Sequence, residues 1–194
     1  MTTQPIRDKR QIKMICSYFA SRKERRNLAL FQFGIFTALR ISDILRLRWG
    51  DIYNFETGKL RAEFEIIEKK TKKHKIVAVN PILRDCLIML FKETSPASHD
   101  YVFSHPTRPH PISRIQAYRI LKTAAKNAGV NVPVSCHTLR KTFGYHLWKK
   151  GASLAVIMDI YNHSSFAITR RYIGITQEDK NLAYKKLTYG FESV

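Results

Sequence analysis

Apolar residues recur at helical spacing along most of the chain, and this pattern predicts a mainly α-helical protein. Serine precedes several of the apolar runs and glycine follows several, and these residue types commonly cap the two ends of helices. The predicted helices cover about residues 8–20, 28–39, 81–92, 113–128, 138–151, 153–161 and 177–187, with two shorter ones that begin near Ser42 and near Ser164 or Ser165.

The period of the pattern changes between residues 59 and 79. The segment LRAEFEII, residues 60–67, alternates apolar with mostly charged positions, as a half-buried strand does. The polar run KKTKKHK follows, and the apolar run KIVAV comes after it. We therefore predict one small antiparallel β-hairpin with a cationic tip, in a chain whose fold class is mainly α with some β (α+β).

The chain length favours a single domain. We expect residues 1–194 to form one unit with a core at about residues 8–172, because this length suffices for one substantial core. The first ten residues are polar and are expected to fray. Residues 173–194 are expected to form a tail that carries the last amphipathic helix.

Charge narrows the choice of partner. The chain carries 34 Lys and Arg against 15 Asp and Glu, a formal net charge of +19. An excess of this size points to a polyanion, since phosphate contacts supply most non-specific affinity for nucleic acid. A protein that only binds nucleic acid and an enzyme that acts on it fit this composition equally well.

Other classes of site and location are less consistent with the sequence. Cys16, Cys86 and Cys136 are scattered without metal-ligand spacing, and His105 and His110 offer too few ligands, so we expect neither a metal nor another cofactor. No signal peptide, membrane-spanning run or separate basic amphipathic helix is evident, which predicts no membrane partner and a cytoplasmic location.

The candidate chemistry lies between Cys136 and Tyr172. His137 and Arg140 fall near the first turn of a predicted helix, where free backbone N–H groups favour an anion. Asn162 suits a left-handed turn from which His163 would emerge, and Tyr172 follows within three helical turns. These residues can therefore surround one phosphate.

This pattern resembles the tyrosine recombinases, the lambda-integrase-like site-specific DNA recombinases. The resemblance rests on His137, Arg140, His163 and Tyr172, on Arg40 in TALRISDILRLRWGDI and on a hairpin lysine, Lys70 in EIIEKKTKKHKIVAV. It covers about residues 25–190. One departure is visible, because the family usually has Leu-Gly-His where this chain has Tyr161, Asn162 and His163.

The resemblance implies a catalytic role for each of these residues. Arg40 and Arg140 would hold the phosphate, His163 would bond one of its oxygens, and His137 would accept the proton of the phenol. Tyr172 would attack phosphorus to form a 3'-phosphotyrosyl link, and Lys70, with Lys73 as the alternative, would protonate the departing 5'-oxygen. The implied reaction needs no metal or nucleotide.

The remaining basic residues are predicted to contact DNA phosphates. They are the hairpin lysines Lys69, Lys72, Lys73 and Lys75 and the helical residues Arg114, Arg119 and Lys122.

The resemblance also implies partners. They are double-stranded DNA that carries specific recombination sites, further copies of the chain as a dimer or tetramer on DNA, and accessory DNA-bending proteins; bound to DNA, the protein would be associated with the nucleoid. The family's tail often packs on a neighbouring protomer, and packing on its own domain is the alternative.

The chain is too short before Arg40 for the helical DNA-clamping domain of longer members, which suggests a compact form similar to the fimbrial phase-switch recombinases or a catalytic domain without its partner domain.

Two further functional classes stay open from the sequence. A non-enzymatic DNA-binding regulator would use the same basic faces, and a type IB topoisomerase-like enzyme would share the tyrosine chemistry. Asp43 likewise has two interpretations, as a carboxylate that steadies Arg40 or as a simple helix-terminal charge.

Overall fold

Helices dominate a computed structural model of the chain, which describes residues 3–187 and 189. Three two-stranded antiparallel sheets accompany them. The helices are α1 Lys9–Ser21, α2 Arg25–Thr37, α3 Ile41–Ile44, α4 Trp49–Ile52, α5 Pro81–Thr94, α6 Arg114–Asn127, α7 Cys136–Lys149, α8 Leu154–Tyr161, α9 Phe166–Ile173 and α10 Gln177–Lys185. The strands are β1 Tyr53–Asn54, β2 Lys59–Leu60, β3 Glu63–Ile67, β4 His74–Ala78, β5 Ser104–His105 and β6 Arg108–Pro111.

The predicted helix starts are confirmed by their caps. The side chains of Ser113, Ser153 and Ser165 each accept a hydrogen bond from a backbone N–H in the first turn of α6, α8 and α9. Ser135 caps α7 in the same way, so this helix begins at Cys136, two residues before the predicted start. As a result, His137 lies within the first turn of α7.

The predicted hairpin is also confirmed. Strands β3 and β4 pair in one continuous register, from Glu63 opposite Ala78 to Ile67 opposite His74. Phe64 and Val77 point into the core, whereas Ile67 on the opposite face is exposed. The proline-rich segment HPTRPHP, residues 105–111, contributes to a further small hairpin made of β5 and β6.

Helix α2 passes through the middle of the core. Phe33 is fully buried in it and makes ring contacts with Phe64 of the hairpin and with Phe103. Helices α5 and α7 pack against α2. Because α2 ends just before Arg40 and α7 begins just before His137, this packing brings the two halves of the predicted site together.

The N-terminal segment corrects a prediction. It was expected to fray, yet Ile6 is fully buried against α7. The Ile6 backbone N–H donates to Thr142 Oγ1 at 2.9 Å, and the Ile6 carbonyl accepts from His146 Nε2 at 2.9 Å. Lys141 Nζ also donates to the carbonyl of Thr3 at 2.6 Å. Residues 3–7 therefore form an ordered strap along α7.

The described part of the tail packs on its own domain. Asp179 of α10 lies 2.6 Å from Lys149 Nζ and 3.7 Å from Arg7 Nη1, which joins the tail to α7 and to the strap. Burial opposes ionisation of Asp179, but hydrogen bonds from Lys149 and Thr176 outweigh it and lower its pKa to about 2. The apolar face expected of this helix is not buried, since Leu182 and Leu187 are exposed.

Within residues 3–187 and 189, none of the helices is both long enough and apolar enough to cross a lipid bilayer.

The contact between α2 and α7 is tight enough to predict the effect of one added methyl group. A Cβ at Gly34 would lie 2.5 Å from Leu139 Cδ1 and 2.8 Å from Leu139 Cβ. Overpacking of a core costs about 1–3 kcal/mol and alanine gains about 1 kcal/mol in a helix, so Gly34→Ala should lower the free energy of unfolding by up to about 2 kcal/mol. Urea denaturation measures this change.

The double variant Gly34→Ala, Leu139→Ala is the control for that measurement. Removal of the Leu139 side chain relieves the clash, so the two substitutions should be less destabilising together than the sum of their separate effects. A Gly34→Ala protein more stable than the wild type would contradict the packing.

Candidate active site

All six predicted catalytic residues line one open groove with a volume of about 1320 Å³. They come from the α2–α3 junction, the turn of the β3–β4 hairpin, the first turns of α7, the α8–α9 turn and α9. The residues are Arg40, Lys70, His137, Arg140, His163 and Tyr172. The fold therefore gathers side chains that are up to 132 positions apart in the sequence, from 40 to 172.

Arg140 lies at the base of this groove and is 1% exposed. Its Nη1 donates to the carbonyl of Ala38, and its Nη2 donates to the carbonyl of Tyr161 at 3.0 Å. Its buried Nε has no hydrogen-bond partner within residues 3–187 and 189. Burial, followed by the charge of Arg40, lowers the pKa of Arg140, but a guanidinium stays protonated at neutral pH. Arg140 is therefore a fixed positive charge whose Nε–H is not used by a hydrogen bond to these described residues.

Arg40 is the N-cap residue of α3 and is held by an ion pair. Its Nη1 lies 2.8 Å from Glu68 Oε1, and Glu68 is completely buried in the hairpin turn. Burial alone would raise the pKa of Glu68, but hydrogen bonds from Thr71 and Arg40 outweigh it and lower the pKa below its ordinary value. Sequence reasoning missed Glu68, whose only signal is its position as an acidic residue directly before the lysine-rich run.

Asp43 connects α3, the helix that follows Arg40, to the β3–β4 hairpin. Its Oδ1 accepts hydrogen bonds from the backbone N–H of Lys69 at 2.9 Å and from Arg46 Nη2 at 3.1 Å. The carboxylate is 2% exposed. Asp43 thus holds the turn that carries Lys70, whereas the carboxylate that pairs with Arg40 is Glu68.

The tyrosine and the first histidine are in direct contact. Tyr172 Oη lies 2.6 Å from His137 Nε2, and the two rings meet edge to face. Burial, then the positive charges of Arg140 and Lys141, lower the pKa of His137 below its ordinary value of 6.5. A neutral imidazole can accept the phenol proton, so this pair has the geometry of a nucleophile with its base.

His163 follows the predicted left-handed turn. Asn162 has φ 54° and ψ 37°, as the sequence led us to expect. The imidazole of His163 stacks on Tyr161, and its Nδ1 lies 3.1 Å from Thr169 Oγ1. Burial, together with the charges of Arg140 and Arg40, lowers the pKa of His163 to about 4. His163 is therefore neutral at physiological pH in the free protein.

The hairpin lysines divide into two groups. Lys69, Lys70, Lys72 and Lys73 are exposed at the turn, and Lys69 and Lys70 line the groove. Lys75 differs from the other four hairpin lysines, because it is 9% exposed in β4 and its Nζ donates to the carbonyl of Ile160 at 2.6 Å. Burial and the charge of Arg140 lower its pKa to about 8. Lys75 thus ties the hairpin to the end of α8.

The basic face of α6 lies beside the groove. Arg114, Arg119 and Lys122 are exposed there, as a phosphate-binding face requires. Arg114 lines the groove together with Ile115 and Tyr118, two exposed apolar side chains that sequence reasoning did not single out.

Potential metal ligands are dispersed in the part of the chain that the structure describes. No group of three or more His, Cys, Asp or Glu residues there could hold a metal ion. The three cysteines are free thiols.

Comparison with known proteins identifies the family. The family model described as "Phage integrase family" matches residues 7–179. The "Probable integrase/recombinase YoeC" of Bacillus subtilis is 40% identical over 94% of this chain and 95% of its own length. A "Tyrosine recombinase" of Pseudothermotoga lettingae is 29% identical over 86% of this chain, which spans 56% of that longer protein.

Solved structures agree on the fold. The crystal structure of XerA recombinase superposes with a TM-score of 0.78 at 18% identity, over 100% of this chain and 66% of the other. XerH site-specific recombinase, bound to a palindromic difH substrate in a post-cleavage complex, gives 0.73 at 19% identity, over 89% and 50%. The match along residues 7–179 and the identity to YoeC show that this chain belongs to the phage integrase family, the tyrosine recombinases that its motif resembles.

Proposed function

We propose that the chain is a site-specific DNA recombinase that cuts and rejoins strands through a 3'-phosphotyrosyl intermediate on Tyr172. The observation that carries this proposal is the 2.6 Å contact between Tyr172 Oη and His137 Nε2, in a groove that also holds the buried guanidinium of Arg140. YoeC and the other relatives bear the names of recombinases, and XerH site-specific recombinase was crystallised bound to a palindromic difH substrate. Both facts support a DNA substrate.

The first step needs an ionised phenol. A tyrosine with a pKa near 10 is about one part in a thousand ionised at pH 7, which costs about 4 kcal/mol. His137 offsets this cost by accepting the phenol proton as Tyr172 Oη bonds to phosphorus. The bond from phosphorus to the 5'-oxygen breaks, and Lys70 supplies the proton that this oxygen takes up.

The two arginines act on the charge that develops at phosphorus. Arg40 and Arg140 donate to the non-bridging oxygens, and this electrostatic stabilisation of the transition state typically contributes about 3–4 kcal/mol per donor. In the tautomer whose Nδ1 accepts the Thr169 hydroxyl proton, His163 carries a hydrogen on Nε2 and donates it to the same phosphate. Each contact is prepared before DNA arrives, because the side chains are already held.

The reverse step completes the exchange. The phosphotyrosyl link keeps the energy of the phosphodiester, so the 5'-hydroxyl of a second strand can attack it and release Tyr172. Two DNA sites must meet for this transfer, so the proposal includes a dimer or tetramer on double-stranded DNA. Accessory DNA-bending proteins and association with the nucleoid belong to the same proposal.

Removal of the nucleophile should abolish the covalent complex. The substrates are nicked DNA duplexes captured by the protein from a randomised pool. Cleavage near the nick releases a short fragment, so the strand cannot be rejoined and the wild-type protein should accumulate a covalent adduct that resists detergent. Tyr172→Phe should bind the captured duplexes with unchanged affinity and form no adduct. An adduct with Tyr172→Phe would show that another residue attacks phosphorus.

The same duplexes separate the functional classes. A recombinase should exchange strands between two copies of the captured duplex, whereas a topoisomerase-like enzyme would relax a supercoiled plasmid that carries the captured sequence without exchanging strands between copies. A regulator that only binds DNA would form no adduct with the wild-type chain.

Lys70 is tested through the leaving group. Lys70→Ala should slow cleavage by about 100-fold or more, as the loss of a general acid typically does. In a substrate with sulfur in place of the bridging 5'-oxygen, the leaving group departs as a thiolate and needs no proton. This substrate should therefore restore the rate of Lys70→Ala almost to that of the wild type. Single-turnover trapping measures both rates.

Lys73→Ala is the matched control for this experiment. Lys73 is also exposed at the hairpin turn but does not line the groove, so its loss should weaken DNA binding and, at saturating protein, change neither single-turnover rate appreciably. If Lys73→Ala shows both the defect and the rescue by sulfur, the general acid is Lys73 and our assignment is wrong.

The pKa of His137 predicts a pH dependence. The neutral imidazole is the active form and its pKa lies below 6.5, so cleavage at limiting protein should reach half of its plateau at a pH below 6.5. His137→Gln should lose most of the activity and this inflection with it. An inflection at or above pH 6.5 in the wild type would contradict the assignment of His137 as the base.

A further inference from the structure

Tyr161 occupies a position where the resembled motif has leucine, and it makes three separate contacts with Arg140. The Tyr161 hydroxyl donates to the carbonyl of Arg140 at 2.5 Å, and Arg140 Nη2 donates to the carbonyl of Tyr161 at 3.0 Å. The guanidinium carbon lies 4.7 Å from the centre of the Tyr161 ring. Each residue thus holds both the backbone and the side chain of the other.

Helix α7 leaves a space for this hydroxyl. Gly144 lies one turn after Arg140, and a Cβ at Gly144 would be 2.2 Å from Tyr161 Oη. Any other residue at Gly144 would displace the phenol from the Arg140 carbonyl. The glycine and the tyrosine therefore form a matched pair, and a leucine at 161 would have no group to place there.

The ring of Tyr161 reaches the other reacting groups as well. His163 stacks on it with centroids 4.8 Å apart and planes at 22°, and the ring of Tyr172 lies 5.4 Å away. Tyr161 is fully buried, and burial raises its pKa. Its hydroxyl therefore remains a hydrogen-bond donor throughout the pH range of the reaction.

We propose that Tyr161 is a positioning residue that sets the orientation of the Arg140 guanidinium toward the scissile phosphate. This inference rests on the proposed function and extends it to a residue that does not itself touch the phosphate. The orientation matters because a planar guanidinium stabilises developing charge only when its N–H groups point at the oxygens. An Arg140 guanidinium that rotates about its side-chain bonds would lose this alignment, although it would keep its charge.

Tyr161→Phe isolates the contribution of the hydroxyl. It keeps the ring beneath the guanidinium and removes only the bond to the Arg140 carbonyl. We expect single-turnover cleavage of the captured nicked duplexes to slow about 5- to 20-fold at saturating protein, with DNA affinity within about twofold of the wild type. Tyr145→Phe is the control, since Tyr145 is also buried in this region, contacts Arg7 and Lys149, and should cleave at the wild-type rate.

Arg140→Lys shows whether Tyr161 acts through the guanidinium. If it does, Tyr161→Phe should slow Arg140→Lys by less than twofold, because the group that it orients is already gone. A purely structural role would instead give the same 5- to 20-fold loss in both backgrounds. That additive result, or an unchanged rate for Tyr161→Phe in the wild-type background, would overturn the inference.

The wild-type protein separates this inference from the proposed function. If the wild type forms the adduct and Tyr161→Phe matches its rate, the role of Tyr161 is wrong and the recombinase proposal stands. If the wild type forms no adduct on any duplex of the pool, the proposed function fails and the role of Tyr161 fails with it.

Discussion

The buried guanidinium of Arg140 is the constraint on which the rest of the site depends. A charge removed from water is strongly destabilising unless it is paired or hydrogen-bonded. Here the compensating groups are the carbonyls of Ala38, after α2, and Tyr161, at the end of α8. Two separate segments must therefore converge on α7 for the chain to fold, and the same convergence helps to assemble the groove.

A second group of buried ions extends this organisation to the hairpin. Glu68 pairs with Arg40, and Asp43 accepts from the backbone of Lys69. Lys75 joins the hairpin to the carbonyl of Ile160, next to the residue that bonds Arg140. The turn that carries the proposed general acid is thus connected to the segment with Arg40 and to the segment that bonds Arg140. A shift in any one of these three parts would therefore move the other two.

Local patterns predicted much of the fold and the proposed site. The alternation in residues 60–67 located β3, and Asn162 indicated the left-handed turn, because both signals involve only neighbouring residues. The burial of Ile6 depends on Thr142, which is far away in the sequence, so no local pattern could show it. The inward direction of Lys75 depends on where the turn ends, and a run of lysines contains no signal for that.

The central claim is that Arg140 combines a structural and a chemical role, and Arg140→Lys tests it most directly. The lysine keeps a positive charge, but its three donors lie on one nitrogen and cannot span the two carbonyls and a phosphate as the separate nitrogens of a guanidinium do. Two quantities are measured at the same salt concentration: the single-turnover rate of cleavage of nicked DNA, and the affinity for the same DNA. The account predicts cleavage slower by about 100- to 1000-fold with affinity almost unchanged. Cleavage at the wild-type rate, or an equal loss of cleavage and affinity, would contradict it.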